Sequence, residues 1–326
     1  MKKLALFVEK EFQHLGTCDA SAAMAMDEAT FVVANDEDNI LKVYHAQDSG
    51  EMIRGIEGRD LNDAFENNPE HAEVDIEAAA KLGKTTYWIT SHGADSKGKK
   101  RKERQQFFGT TLKVKKGKTE FRQSGKAYTN LFKDMLKDKR LNQFDLKAAS
   151  TLPPKEKGGL NIEGLTVAPN KTLLIGFRNP IPNQKALILP LKNPKALLGD
   201  AKKRAKFGKA LLLDLGGLGI RSIEYWESQH RYIIIAGAYD GSDAFRLYEW
   251  SGAANQKPTV LEVMGMPEGF RPESVLFYPA FPHRLHLLSD DGTVLREGNT
   301  PCKELGKENP NRHFRSLWLK VQKIEF

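Results

Sequence analysis

The sequence predicts an all-β chain of the β-propeller type. Three observations lead there: a five-fold repeat of paired strand-like segments, a near-constant spacing inside each repeat, and a spare strand-like segment at the N-terminus. Each repeat is an apolar stretch with an acidic residue near its start, then a turn, then a strongly β-prone run ending in polar residues. The first copy, residues 20–24 and 31–36, is the weakest. The others pair residues 75–80 with 85–92, 161–167 with 172–178, 222–226 with 232–239, and 271–277 with 284–290.

A third β-prone run follows each pair, at residues 40–44, 105–112, 186–191, 245–250 and 314–321. A fourth follows in most units, at residues 52–56, 119–123, 210–215 and 260–264. The fifth unit reaches the C-terminus without one, and the run at residues 4–8 can supply it, which removes an exposed sheet edge. Five four-stranded blades in a single domain over 1–326 is the count; six is the alternative, because 86 residues separate Glu77 from Glu163. The preferred account of that interval is a basic insertion over 113–160. It carries a short amphipathic helix (Leu131, Phe132, Met135, Leu136) and a Pro/Gly linker at 153–159.

Charge is unevenly distributed. The net of +8 resolves into −12 over residues 1–80, +14 over 81–160 and +6 over the remainder. The densest basic run, residues 97–104, has no interleaved aromatic platform, so a solvated hairpin tip is preferred over a nucleic-acid contact. No apolar run approaches a membrane span, and residues 4–8 are too short for a signal peptide core. Cys18 and Cys302 have no C-x-x-C spacing and no recognisable partner His. They read as inert thiols unless the seam between last and first blades brings them together, and a cytoplasmic protein is expected.

The stretches Tyr87-Trp88-Ile89-Thr90-Ser91-His92-Gly93, and Asn161-Ile162-Glu163-Gly164-Leu165 with Ile175-Gly176-Phe177-Arg178-Asn179-Pro180, resemble a bacterial family, domain of unknown function 3616. The I-E-G-L element is also similar to esterase-like and phytase-like propeller proteins. The resemblance implies a propeller-type repeat fold and no settled activity. Phytase-like and lactonase-like propellers hold divalent metal in the channel. This chain matches them in its acidic strand starts, and not in a complete ligand set.

In a propeller blade the first strand lines the channel and the second returns beside it, so the start of one lies near the end of the other. The offsets agree: Ser21 to Asp36, Glu77 to His92, Glu163 to Arg178 and Glu224 to Tyr239 are each 15, and Glu273 to Ser289 is 16. Glu77, Glu163, Glu224 and Glu273 are therefore expected at one channel mouth, ringed by Asp36, His92, Arg178, Asn179, Tyr239, Asp240 and Asp290. Grouped carboxylates repel unless a cation, cationic groups or shared protons compensate them.

One reading makes the glutamates ligands for Ca²⁺ or Mg²⁺ in a hydrolase of ester, lactone or phosphate substrates, with His92 as base and Arg178 holding an anionic group. The other makes them seam-sealing partners of backbone N–H groups or of Arg178, in a non-catalytic scaffold that docks a cationic small-molecule ligand, a peptide or a protein at the mouth. No nucleotide cofactor is expected: Gly216-Gly217-Leu218-Gly219 is followed by a β-prone run, where a dinucleotide loop must open a helix. No G-x-S-x-G elbow occurs, and Asn35-Asp36-Glu37-Asp38 reads as a polar turn. His283 and His286 would point to opposite faces of a strand.

Overall fold

Each repeat folds into an antiparallel group of strands in which chain order is spatial order. The computed structural model describes residues 2–35, 38–115, 118–200 and 202–325. After the N-terminal strand β1 (Lys2–Leu15), the first group is β2 (Ala22–Ala25), β3 (Thr30–Ala34) and β4 (Lys42–His45). The second is β5 (Ile76–Leu82), β6 (Thr85–Thr90), β7 (Phe107–Lys115) and β8 (Lys118–Gln123). The third is β9 (Asn161–Val167), β10 (Leu173–Asn179), β11 (Ala186–Leu191) and β12 (Leu211–Leu213). The fourth is β13 (Gly219–Trp226), β14 (Arg231–Gly237), β15 (Phe245–Trp250) and β16 (Thr259–Met264). The fifth is β17 (Pro272–Leu276), β18 (Arg284–Ser289) and β19 (His313–Glu325).

β1 occupies the outer position of the fifth group. It pairs antiparallel with β19 from Lys2↔Glu325 to Leu15↔His313, and in parallel with β16 at Ala5↔Glu262 through Phe7↔Met264. The fourth and fifth groups thereby join as one eight-stranded sheet. The chain is all-β and propeller-like. The first strands β2, β5, β9, β13 and β17 pack on one another in sequence, and β17 packs on β2.

Apolar residues fill the space between consecutive groups in five clusters. Val32 and Trp88 meet between the first and second groups, Ile89 and Ile175 between the second and third, and Ile188 and Ile234 between the third and fourth. Ile235 and Leu287 meet between the fourth and fifth groups, and Leu288 and Phe31 between the fifth and first. Each cluster holds ten or more buried residues, and each such side chain contributes roughly 1.5–3 kcal/mol of transfer free energy. Seam packing therefore holds the strand groups together without help from charge. Strand β14 shows why the second strands read as unbroken apolar runs: Tyr232 to Ala236 are buried whichever face they occupy.

Three local expectations change. Residues 52–56 form no strand; Ile53 donates a single backbone bond to Val43, and the first group has three strands. β7 runs to Lys115 and β8 spans Lys118–Gln123, so the helical insertion starts after Gln123. It holds α1 (Leu131–Lys137), a 3₁₀ turn (Lys139–Phe144) and α2 (Leu146–Ala149). Leu131, Met135, Leu141 and Leu146 pack into the cluster between the second and third groups. The cysteines are not inert thiols: Cys18, between β1 and β2, is bonded to Cys302, in the β18–β19 connection, across 284 residues. The seam between last and first groups brings together two residues that have no local signal in common. Among the described residues, no helix is long and apolar enough to cross a membrane.

Candidate functional site

A repeated backbone irregularity builds the site. Pairing between first and second strands skips one residue near the start of four first strands: Glu77 in β5, Glu163 in β9, Arg221 in β13 and Glu273 in β17. A bulge of this kind re-aims the side chain of the unpaired residue. The residue after each bulge is small (Ala78, Gly164, Ser222, Ser274), and Ala22 follows Ser21 in the first group. Small side chains suit the narrow point where five strands converge. A Cβ on Gly164 would lie 2.9 Å from Ile220 Cγ2 and 3.0 Å from Gly176 Cα. The channel at this level leaves a space of about 10 Å³, roughly one water-sized sphere.

Above this waist the bulge residues are paired with opposite charge. Arg178, at the end of β10, donates Nη1 to Glu163 Oε1 at 2.7 Å and Nε to the Ala238 carbonyl at 2.9 Å. Asn161 Nδ2 donates to the same Glu163 oxygen at 2.6 Å. Arg221 Nη2 bonds Glu273 Oε2 and lies 3.5 Å from Asp290 Oδ2, while its Nε is 3.7 Å from Glu163 Oε2. Both guanidinium groups are buried.

Burial would lower the Arg178 pKa, but Glu163, with Glu77 and Asp290, holds it above its ordinary value. Burial and the neighbouring Arg178 push Arg221 down, against the pull of Glu163, Asp290 and Glu77. Two arginines thus offset part of the charge of the four grouped carboxylates, Glu77, Glu163, Glu273 and Asp290. Asp290, with a side chain 33% exposed, is where this cluster meets solvent.

The second group contributes a neighbouring set. His92, with φ of 57°, is buried, and its Nδ1 lies 2.8 Å from the Thr90 carbonyl. Burial lowers its pKa to about 4, so at neutral pH the ring is uncharged, Nδ1 carries the proton toward Thr90, and Nε2 is a bare acceptor. The Ser91 hydroxyl bonds Asp75, which also lies 3.1 Å from Arg104 Nη1. Burial, the largest influence, raises the Asp75 pKa, and Glu163 pushes the same way. The Ser91 carbonyl accepts from Ile162 N at 3.0 Å, joining this set to β9. Among the described residues, four buried side-chain atoms of the rim make no hydrogen bond: Asn161 Oδ1, His92 Nε2, and Glu163 Oε2 and Arg221 Nε, which stand 3.7 Å apart as an ion pair.

The structure brings Glu77, Glu163, Glu273, Arg178 and Asp290 together as the spacing anticipates. Asn179 lies beside them, donating Nδ2 to the Pro154 and Glu156 carbonyls and so pinning the 153–159 linker to the rim. Tyr239 and Asp240 sit in the β14–β15 loop, next to the Ala238 carbonyl that Arg178 engages. Asp240 is exposed and accepts from Ser242 N. Asp36 lies outside the described residues.

Glu224 does not join the ring. Its strand takes the bulge three residues earlier, and Arg221 holds the position. Glu224 lies below the waist, half-buried beside the Thr166 hydroxyl and Tyr225 amide, where burial raises its pKa to about 8. Arg221, Asp75 and Arg104 are site residues that a search keyed on glutamate misses. The available signal was the pattern of an apolar residue, a ring residue and a small residue, which Ile220-Arg221-Ser222 shares with Ile76-Glu77-Ala78.

Two arginines occupy part of the carboxylate set that a divalent ion would need. Arg178 engages Glu163 and Arg221 engages Glu273, offsetting part of the negative charge that would recruit Ca²⁺ or Mg²⁺. Among the described residues, no three His, Cys, Asp or Glu side chains are grouped as metal ligands.

Strand groups packed in a ring, with charged residues at one end of the space they enclose, define an all-β, propeller-like protein. Solved structures similar to it include the PQQ-bound aldose sugar dehydrogenase of Streptomyces coelicolor, at 12% identity over 98% of this chain and 99% of that one, TM-score 0.47. A GH43 β-1,3-galactosidase with galactodeoxynojirimycin matches at 11% identity over 97% and 94%, TM-score 0.48. The WD40 β-propeller domain of Doa1 matches at 8% identity over 88% and 67%, TM-score 0.30. Among curated proteins, no sequence matches the chain. The chain belongs to the family of proteins of unknown function DUF3616, which matches residues 19–120 and 108–268.

Proposed function

We propose that the chain is a five-bladed β-propeller closed by its own N-terminal strand, and that its charged rim is a binding site for a small ligand rich in hydrogen-bond donors. The blade count rests on five strand groups and five apolar seams, and closure rests on the β1–β19 ladder. One observation carries the binding reading: four rim atoms that make no hydrogen bond among the described residues, of which Asn161 Oδ1, Glu163 Oε2 and His92 Nε2 accept and Arg221 Nε donates. Buried polar atoms without partners are costly, and three acceptors to one donor suit a polyol or amino sugar. The binding reading is preferred over a metal-dependent hydrolase because arginines already engage two of the three rim glutamates.

Arg104 of the basic run is engaged by Glu73 and Asp75, which supports a structural role for that segment rather than contact with nucleic acid. The Cys18–Cys302 bond favours assembly in an oxidising compartment over the cytoplasm.

Thermal unfolding of the chelator-treated chain tests the binding reading, with a panel of polyols and amino sugars and with Ca²⁺ or Mg²⁺ alone. A polyol or amino sugar at ~100 times its Kd should stabilise by ~2.7 kcal/mol, and Glu163→Gln should lose the shift. A shift with metal alone that Glu163→Gln abolishes would restore the hydrolase reading. No shift with any probe would leave the rim as structure.

A further inference from the structure

The channel has a second end. Below the waist the far ends of β2, β5, β13 and β17 spread around a cavity of about 340 Å³, a size typical of small-ligand pockets. Its walls are apolar: Met24 and Met26 from the β2 side, Leu276, Phe277 and Pro279 from the β17 side, and Ala79 and Ala80 of β5. Phe277 is held in place by stacking on Trp226, with ring centroids 4.7 Å apart. Glu224 lines both this cavity and the waist, so its carboxyl stands where the pocket narrows into the channel. The charged residues at the opening are Asp27, Glu28 and Lys81, all exposed. Three carboxyl groups therefore face one ammonium in a pocket whose walls are thioether, aromatic and alkyl.

The geometry points to this cavity as a binding site, separate from the charged rim, for a small organic amine with its ammonium on Glu224 and its apolar body against Met24, Met26 and Phe277. Each part of that ligand answers a part of the pocket. Burial keeps the Glu224 carboxyl protonated, and among the described residues no cation pairs with it; an ammonium that arrives with its own apolar shield favours the ionised form and forms a charge-assisted pair with it. Methionine and aromatic walls are polarisable and adapt to a cation and its alkyl or aryl substituent. The acidic balance at the opening favours a cationic ligand over an anionic one. The waist, with room for about one water, keeps such a ligand from reaching the rim cluster.

Calorimetric titration of the intact chain with phenethylamine, and with the neutral 2-phenylethanol, tests the assignment. Saturable binding of one phenethylamine is expected, with Kd at least tenfold weaker in Glu224→Gln, at least tenfold weaker for the alcohol, and unchanged in Glu163→Gln. Ala25→Phe fills the cavity from a half-exposed position and leaves Glu224 in place, so it should also abolish binding and serves if Glu224→Gln folds poorly. Absence of phenethylamine binding at millimolar concentration, or binding indifferent to both pocket variants, would overturn the assignment. Binding lost only in Glu163→Gln would move the amine to the rim, supporting the rim reading while refuting this one.

Discussion

Removing the Cys18–Cys302 bond should destabilise the chain without opening the ring. The bond closes a loop of 284 residues that holds the first four strand groups and the start of the fifth. Chain-entropy reasoning puts the loss of unfolded-state freedom from such a loop at about 5–6 kcal/mol, and measured disulfide contributions cluster at about 2–4 kcal/mol. The β1–β19 ladder lies outside the cross-linked loop, with residues 2–15 before Cys18 and 313–325 after Cys302, so it continues to join the ends of the chain.

The effect should therefore act on the unfolded state. Both cysteines are fully buried, so reductant would act only after opening, and the Cys18→Ala/Cys302→Ala variant is the cleaner perturbation. Urea unfolding followed by circular dichroism should show a loss of about 2–5 kcal/mol. The denaturant slope should rise, because the unfolded chain, freed of its cross-link, expands. The native spectrum should be unchanged. An unaltered midpoint and slope would refute the argument, and a collapsed native spectrum would mean that the ladder alone cannot close the structure.

Arg221→Met should cost about 3–5 kcal/mol in urea unfolding, because it leaves Glu273 buried without its cation; Arg221→Met with Glu273→Met should recover most of the loss. Gly164→Ala should cost about 1–3 kcal/mol, since its Cβ would press on Ile220 and on the Gly176 backbone, and a neutral result would show that the waist can spread.

Between the unfolded carboxyl range and about pH 8 the folded chain retains a proton on Glu224 that the unfolded chain has released. Stability should fall as pH rises through that window, by up to about 1.4 kcal/mol per pH unit, and Glu224→Gln should flatten the profile. The opposite sign applies to His92, lowered by burial to about 4, and to His14, lowered by burial and by His313 to about 3. Stability should fall as pH drops from 6.5 toward those values, and His92→Gln should reduce the slope in acid unfolding.

Repetition made the strand order legible, because a blade strand must be β-prone and apolar wherever it occurs, and β14 or β18 can be read directly from its run. Elements that are not repeated were harder to see. Residues 52–56 carry apolar side chains suited to a fourth strand, but Met52 is exposed and Ile53 makes one backbone bond, so tertiary context decided against propensity. The disulfide had no local signal, since only the packing of the last strand group against the first makes Cys18 and Cys302 neighbours. The rim was three-quarters legible. Glu77, Glu163 and Glu273 share a bulge that acidic spacing finds, whereas Arg221 shares the bulge without the charge. A reading keyed on backbone need, the small residue at the waist, places Arg221 correctly; a reading keyed on carboxylates slides to Glu224.

That exchange of one charge for another changes what the rim can do. Four glutamates in a ring would require an external cation, but three glutamates with Arg221 among them form a partly self-compensated set. From β13, Arg221 reaches Glu273 on β17 and approaches Glu163 on β9, so one side chain couples three consecutive strand groups. Burying such pairs is seldom more stable than apolar packing, and the five seams already hold the groups together. What the charges add is directionality: a bidentate-capable guanidinium meets carboxylates only when three neighbouring groups sit in the correct register. The same pairing leaves Glu163 Oε2 and Arg221 Nε 3.7 Å apart, beyond hydrogen-bond reach of each other, with Asn161 Oδ1 and His92 Nε2 also making no hydrogen bond among the described residues. A rim serving only to lock register would gain from closing that last gap, and that unmet hydrogen-bonding capacity is what the proposed binding of a donor-rich ligand would use.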